Sequence, residues 1–138
     1  MAWTLITGGA TRLGREIALA FTQAGWGVAC HYRHSQDAAQ QLCESIRAQG
    51  GLAMAVQGVL EDEASCQQLF NATVREIGTD LQCVVNNASL FEPDEARHMN
   101  EAQALQQLQV NLMAPLRLSR WLAALHESSA SAIPSGST

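Results

Sequence analysis

Short apolar runs alternate along the chain with longer stretches in which apolar residues return every three or four positions. Trp3-Thr4-Leu5-Ile6-Thr7 is a mostly apolar run closed by Gly8-Gly9, the pattern of a buried strand. Leu13, Ile17, Phe21 and Ala24 follow at helical spacing, and Gly25 is placed to stop that helix. Trp26 to Tyr32 reads as a second strand. Ala38, Leu42 and Ile46 mark a second helix ending at Gly50-Gly51. Leu52 to Val56 and Leu81 to Val85 read as the third and fourth strands. Between them lies a helix carrying Cys66, Leu69 or Phe70, Thr73 and Ile77, with Asp62 and Glu63 near its positive end. Leu105, Leu108, Leu112, Leu116 and Leu122 line a long fourth helix.

Strand and helix thus alternate four times without an internal repeat. Parallel strands need crossover connections, so this order predicts an α/β fold, a Rossmann-like doubly wound parallel sheet. About four βα units are present, corresponding to the N-terminal part of such a fold with strand order 3-2-1-4. The expected division is one domain over 1–125 and an irregular end over 126–138. That last stretch is serine-rich and contains Pro134 and Gly136, and Pro134 is a poor fit for a central strand.

Composition narrows the function. The 138 residues are 47% hydrophobic and 15% charged, with a formal net charge of -5. That balance gives no electrostatic reason for nonspecific binding to nucleic acid or to an anionic membrane. No run approaches the ~20 apolar residues of a spanning helix. No charged leader precedes an apolar run, so a cytoplasmic protein is expected. Cys30, Cys43, Cys66 and Cys83 form no Cys-x-x-Cys pair and read as buried free thiols. Cys30 and His31 lack further ligands at suitable spacing, so no metal site is expected. All 8 basic residues are arginines, and Tyr32 is the single tyrosine.

The chemistry concentrates where the first strand meets the first helix. Thr7-Gly8-Gly9-Ala10-Thr11-Arg12-Leu13-Gly14 occupies the turn at which a doubly wound fold brings backbone against a dinucleotide. Glycines allow close approach, and the helix start offers N–H groups and a positive dipole end. The alternative is a tight turn without a ligand. Arg12 stands where the common Gly-x-x-x-Gly-x-Gly form has its middle glycine, and its guanidinium could lie on a phosphate or remain solvated. NAD binding normally uses an acidic residue at the end of the second strand. Here that place reads Cys30-His31-Tyr32-Arg33-His34-Ser35, with no carboxylate before Asp37. Arg33, His34 and Ser35 suit a 2′-phosphate, which predicts NADPH over NADH. Ser35 is also placed to cap the second helix.

These residues resemble the short-chain dehydrogenase/reductase family, and within it the pteridine reductases, over the chain up to about Leu125. Thr7-Gly8-Gly9 with Arg12, Leu13 and Gly14 is similar to the arginine-containing glycine turn of that subgroup. His31-Tyr32-Arg33-His34-Ser35 is similar to its His-Tyr-His-Arg-Ser segment with the middle pair exchanged, which implies that His31, Arg33, His34 and Ser35 bind the cofactor, with either Arg33 or His34 reaching the phosphate. Asn86-Asn87-Ala88-Ser89 resembles the Asn-Asn-Ala-Gly motif in its serine-ending form, which implies that Asn87, Ala88 and Ser89 line the cofactor. Phe91 falls where the subgroup stacks a pterin against the nicotinamide, a contact suited to two π faces. A core or lid phenylalanine is the alternative, and Pro93 fits a loop leaving the sheet. The resemblance also implies that Asn111 helps to hold a water of the proton relay through its main-chain carbonyl. Pro115, four residues later, has no N–H to engage that carbonyl, which supports the same role from local chemistry. A simple helix kink is the other reading.

Two departures are plain. Val59 stands where the family has an aspartate contacting the adenine amino group, so either adenine is held less tightly or Asp62 compensates. The catalytic Tyr-x-x-x-Lys is missing, because the chain has no lysine and Tyr32 lies in the second strand. Ser135 and Ser137 cannot be assigned to the serine that accompanies that tyrosine. The expectation is therefore the cofactor-binding part of a longer, C-terminally truncated pterin-type reductase that forms homo-oligomers when full-length. A non-catalytic NADP-binding fragment, or a reductase of another carbonyl or imine, are the alternatives.

Overall fold

The computed structural model describes residues 1–91 and 96–130. Four strands, β1 (Trp3–Ile6), β2 (Gly27–Tyr32), β3 (Ala53–Gln57) and β4 (Leu81–Val85), form one sheet in the order β3-β2-β1-β4. Every pairing is parallel, with Ile6 opposite Cys30 on one side and Val85 on the other. Helices α1 (Arg12–Gln23), α2 (Gln36–Ala48) and α3 (Glu63–Ile77) make the crossovers. The α/β fold and its parallel sheet are those the hydrophobic pattern predicts, and the 3-2-1-4 order is the one expected of the N-terminal part of a doubly wound fold.

Two apolar layers sandwich the sheet. On one face Ile6, Val28 and Cys30 pack with Ala18 of α1 and Leu42, Cys43 and Ile46 of α2. On the other, Leu5, Ala29, Val56 and Leu81 pack with Cys66, Leu69 and Phe70 of α3 and with Val110, Ala114 and Leu118. Burial on both faces is why β1 and β2 read as continuous apolar runs rather than alternating ones. All four cysteines are free; Cys30, Cys43 and Cys66 are buried and Cys83 is half-buried.

The long leucine-lined helix is not uniform. α4 (Glu101–Leu108) passes into a π turn over Gln109–Met113 and then into α5 (Ala114–Ala130). At that turn the Ala114 N–H reaches back five residues to the Gln109 carbonyl. Pro115, next in line, has no N–H for the Asn111 carbonyl. A wide turn of this kind commonly marks a functional position. The end of the helix corrects the expected boundary at Leu125, since α5 continues to Ala130. His126 is tied into the fold, its Nε2 lying 2.8 Å from the Leu81 carbonyl at the start of β4. Serines are weak helix formers, but tertiary anchoring outweighs propensity here. Pro93, Pro134, Ser135, Gly136 and Ser137 lie outside the described residues. No helix among the described residues is long and apolar enough to cross a membrane.

Candidate functional site

The carboxyl ends of β1, β2 and β4 open on one side of the sheet, where doubly wound folds bind ligands. Two adjoining cavities lie there. One, of about 320 Å³, is lined by Gly8, Thr11, Arg12, Leu13, Asn87, Ala88 and Ser89. The other, of about 280 Å³, includes His31, Arg33, His34, Gly58, Leu60 and Glu61 in its wall. Gly8, Ala88 and Ser89 border both, so they form one cleft across the strand ends.

The floor of this cleft is a brace of internal hydrogen bonds. Thr7 is 2% exposed, and its Oγ1 accepts from the main-chain N–H groups of Asn87 and Ala88 at 3.0 Å each. Asn87 Nδ2 donates to the carbonyls of Thr7 (3.1 Å) and Gly8 (3.2 Å). The loop after β4 is thereby fastened to the glycine turn. Gly8 takes φ +62, which glycine adopts without steric cost. Gly14 is required by closeness: a Cβ there would lie 2.0 Å from the Gly8 carbonyl oxygen and 2.7 Å from Asn87 Nδ2.

His31 corrects one expectation. It is 3% exposed and spends both ring nitrogens inside the protein. Its Nδ1 accepts from the Gly8 N–H at 3.0 Å, so Nδ1 is bare and Nε2 carries the proton. Nε2 then donates to the Gly58 carbonyl at 2.8 Å. Burial holds its pKa below the ordinary imidazole value, with the Gly58 bond opposing. The His31 carbonyl also accepts from Gly9 N–H at 3.0 Å. The Gly8 and Gly9 N–H groups therefore point to His31, and these glycines shape the turn. His31 clamps the site and has no ring nitrogen free for a ligand.

The N–H groups free for an anion are those of the first turn of α1, at Arg12, Leu13 and Gly14, which have no partner within the helix. Thr11 holds the N-cap position with extended backbone and makes no side-chain cap bond, so that helix start is open. Arg12 has φ +52, a left-handed conformation in a position where the common turn has glycine. Leu13 is 65% exposed at the rim.

At the other end, Arg33 is engaged: its Nη1 donates to Glu61 Oε1. His34 is exposed and borders the same cavity. Ser35 occupies the N-cap position of α2, yet its side chain makes no cap bond. This departs from the expected cap and leaves the hydroxyl to the cleft side or solvent. Asp62, the candidate substitute for the adenine contact, lies in the wall of neither cavity. It caps α3, accepting from Ser65 N–H at 2.7 Å and from Ser65 Oγ at 2.9 Å, and those bonds hold its pKa below the usual carboxylate range.

Asn111 reaches the loop after β4. Its Oδ1 accepts from Leu90 N–H at 2.8 Å and its Nδ2 donates to the Leu90 carbonyl at 2.7 Å. This two-point clasp fixes the backbone immediately before Phe91, which is 80% exposed and thus no core residue. Glu61 is the residue that sequence reasoning missed. Its partner Arg33 lies 28 positions away, and no local pattern connects them. Among the described residues, no group of three or more His, Cys, Asp or Glu side chains is arranged to hold a metal ion.

Residues 2–134 match the family model for short chain dehydrogenase. An uncharacterized oxidoreductase of Escherichia coli, YgfF, is 36% identical over 91 residues, which are 66% of this chain and 36% of that protein. The 3-oxoacyl-[acyl-carrier-protein] reductase FabG of Staphylococcus aureus is 30% identical over 99 residues, covering 72% of this chain and 40% of the relative. Among solved structures, FolM alternative dihydrofolate reductase 1 from Brucella canis, complexed with NADP, superposes with a TM-score of 0.84 at 31% identity. That superposition covers 90% of this chain and 48% of the Brucella chain. In each of these three, the chain spans less than half the relative's length.

Proposed function

We propose, for a chain that belongs to the short-chain dehydrogenase family, that it forms the NADPH-binding part of a reductase acting on a pterin-type substrate. The observation that carries this reading is the cleft itself. An uncapped helix start stands at one end and a basic strand end without a β2 carboxylate at the other, and the exposed Phe91 follows Leu90 of the cavity wall. The open first turn of α1 and Arg12 suit a pyrophosphate. Arg33, His34 and Ser35 suit a 2′-phosphate. Ala88 and Ser89 line the stretch between. When bound, the dinucleotide supplies a hydride.

The chain's own residues place that group. Asn87 and Thr7 hold the glycine turn against the loop after β4, and His31 holds it from the opposite side. Asn111 fixes Leu90, the residue before the exposed Phe91, and the Asn111 carbonyl, without a proline N–H, is left for a water. A flat heteroaromatic substrate stacked on Phe91 gains about 0.5–1.5 kcal/mol beyond its buried area. The FolM resemblance in structure and cofactor supports the pterin assignment. No lysine stands among the 138 residues to lower a tyrosine pKa. The activity proposed for these residues is therefore binding, and turnover belongs to a chain that also carries the Tyr-x-x-x-Lys pair. Leu105, Leu108, Leu112 and Leu116 are each at least half exposed on one flank of α4 and α5, which supports assembly into a homo-oligomer.

The test is a titration of the chain with NADPH and then with a dihydropterin, read by nicotinamide fluorescence and absorbance. NADPH binds, the dihydropterin binds to the NADPH complex, and no oxidation follows. Phe91→Ala keeps NADPH and loses the dihydropterin. Equal dihydropterin affinity in Phe91→Ala would point to a different carbonyl or imine substrate, and failure of NADPH to bind would remove the whole reading.

A further inference from the structure

We infer that Glu61 sets how the cleft distinguishes a 2′-phosphate from a 2′-hydroxyl on the adenosine ribose, by competing with the phosphate for Arg33. The inference rests on the coenzyme reading above and adds a residue to it.

β2 ends without a carboxylate, but the cleft does not lack one. Glu61 enters from the loop between β3 and α3 and accepts from Arg33 Nη1 at the wall of the 280 Å³ cavity. The Glu61 side chain is 21% exposed against 42% for Arg33, so the carboxylate is the more enclosed partner. The chain leading into Glu61 is pinned at Gln57 and Gly58. Gly58 N–H donates to the Tyr32 carbonyl at 3.0 Å, His31 donates to the Gly58 carbonyl at 2.8 Å, and Gln57 Nε2 donates to the Arg33 carbonyl at 3.3 Å. The two loops therefore hold Glu61 and Arg33 together. The neighbouring Asp62 caps the start of α3 and is not in the cavity wall.

Two ligands meet this pair differently. A 2′-phosphate needs the guanidinium and finds it already neutralised, so it must displace Glu61 or sit beside a like charge. A ribose 2′-hydroxyl can donate to Glu61 while the ion pair stays intact, as an acidic residue does in NAD sites. A lone arginine would favour NADPH strongly. The Arg33–Glu61 pair narrows that preference, and the cleft takes both reduced coenzymes.

The test measures dissociation constants of NADPH and NADH for the wild-type chain, Glu61→Gln and Arg33→Gln, by nicotinamide fluorescence at fixed ionic strength. In the wild type the two constants lie within about tenfold of each other. Glu61→Gln tightens NADPH by about five- to tenfold and weakens NADH by about two- to fivefold. Arg33→Gln shifts the ratio the opposite way, so the inference remains testable if one variant fails to fold. A merely structural role for Glu61 would move both coenzymes in the same direction. That result, or an unchanged ratio in Glu61→Gln, overturns the inference while leaving coenzyme binding in place. Failure of the wild type to bind either coenzyme overturns the underlying reading as well.

Discussion

Replacing His31 by leucine tests whether this ring clamps the glycine turn. The substitution removes the acceptor of the Gly8 N–H (3.0 Å) and the donor to the Gly58 carbonyl (2.8 Å), both at a side chain 3% exposed. Each buried group left unpaired costs about 1–3 kcal/mol, so the loss is about 2–6 kcal/mol near neutral pH. Leucine's larger apolar contact offsets part of this, which places the expected value at about 2–4 kcal/mol. The wild-type ring also carries a pH signature. Its folded pKa is depressed, so the unfolded chain accepts a proton that the folded chain refuses. The clamp's contribution is complete above about pH 6.5 and is lost as the pH falls from there towards the folded value, by up to about 1.4 kcal/mol per unit. Urea unfolding of both proteins between pH 8 and pH 5.5 measures this. The gap between wild type and His31→Leu should be widest at pH 8 and shrink on acidification. A gap below about 0.5 kcal/mol at pH 8, or one that grows as the pH falls, would refute the clamp.

Gly14→Ala forces a Cβ to within 2.0 Å of the Gly8 carbonyl, so α1 must shift away; denaturant unfolding should show a loss of about 1–3 kcal/mol, with weakened NADPH binding. Arg12→Gly relieves the left-handed φ of +52. It should stabilise the chain by about 1 kcal/mol while weakening NADPH about tenfold, as read by unfolding and by fluorescence titration. Asn111→Ala removes both bonds to the Leu90 backbone and should cost about 1–2 kcal/mol; hydrogen exchange at the Leu90 amide should accelerate while the amides of β1 are unchanged.

The sheet was legible because its central strands β1 and β2 are buried on both faces and its helices on one, so apolar spacing separates them. β4 matches its expected bounds, and β1, β2 and β3 lie within a residue of theirs. The irregularity at Asn111 was also legible, because a proline's missing N–H acts at a fixed distance along the chain. His31 was not. It sits inside a β2 run whose residues from Gly27 to His31 are all buried, and a polar ring there must find internal partners. That burial was the available signal, but the likeness of the His31–Ser35 segment to the family's coenzyme-binding segment placed the ring among the ligand groups. The Arg33–Glu61 pair was invisible for a different reason: residues far apart in sequence meet only after β2 and β3 pair. The α5 end was misjudged because composition reports serine's local preference, whereas His126 anchors the helix to β4.

The central claim is that a coenzyme's pyrophosphate lies on the first turn of α1. Amide nitrogen–proton spectra recorded during an NADPH titration test it most directly. Saturable shifts should concentrate at Arg12, Leu13, Gly14, Ala88 and Ser89, with His34 and Ser35 moving in step. Shifts confined to the cavity of about 310 Å³ beside Trp26 and Gly50, at the opposite end of the strands, would contradict it.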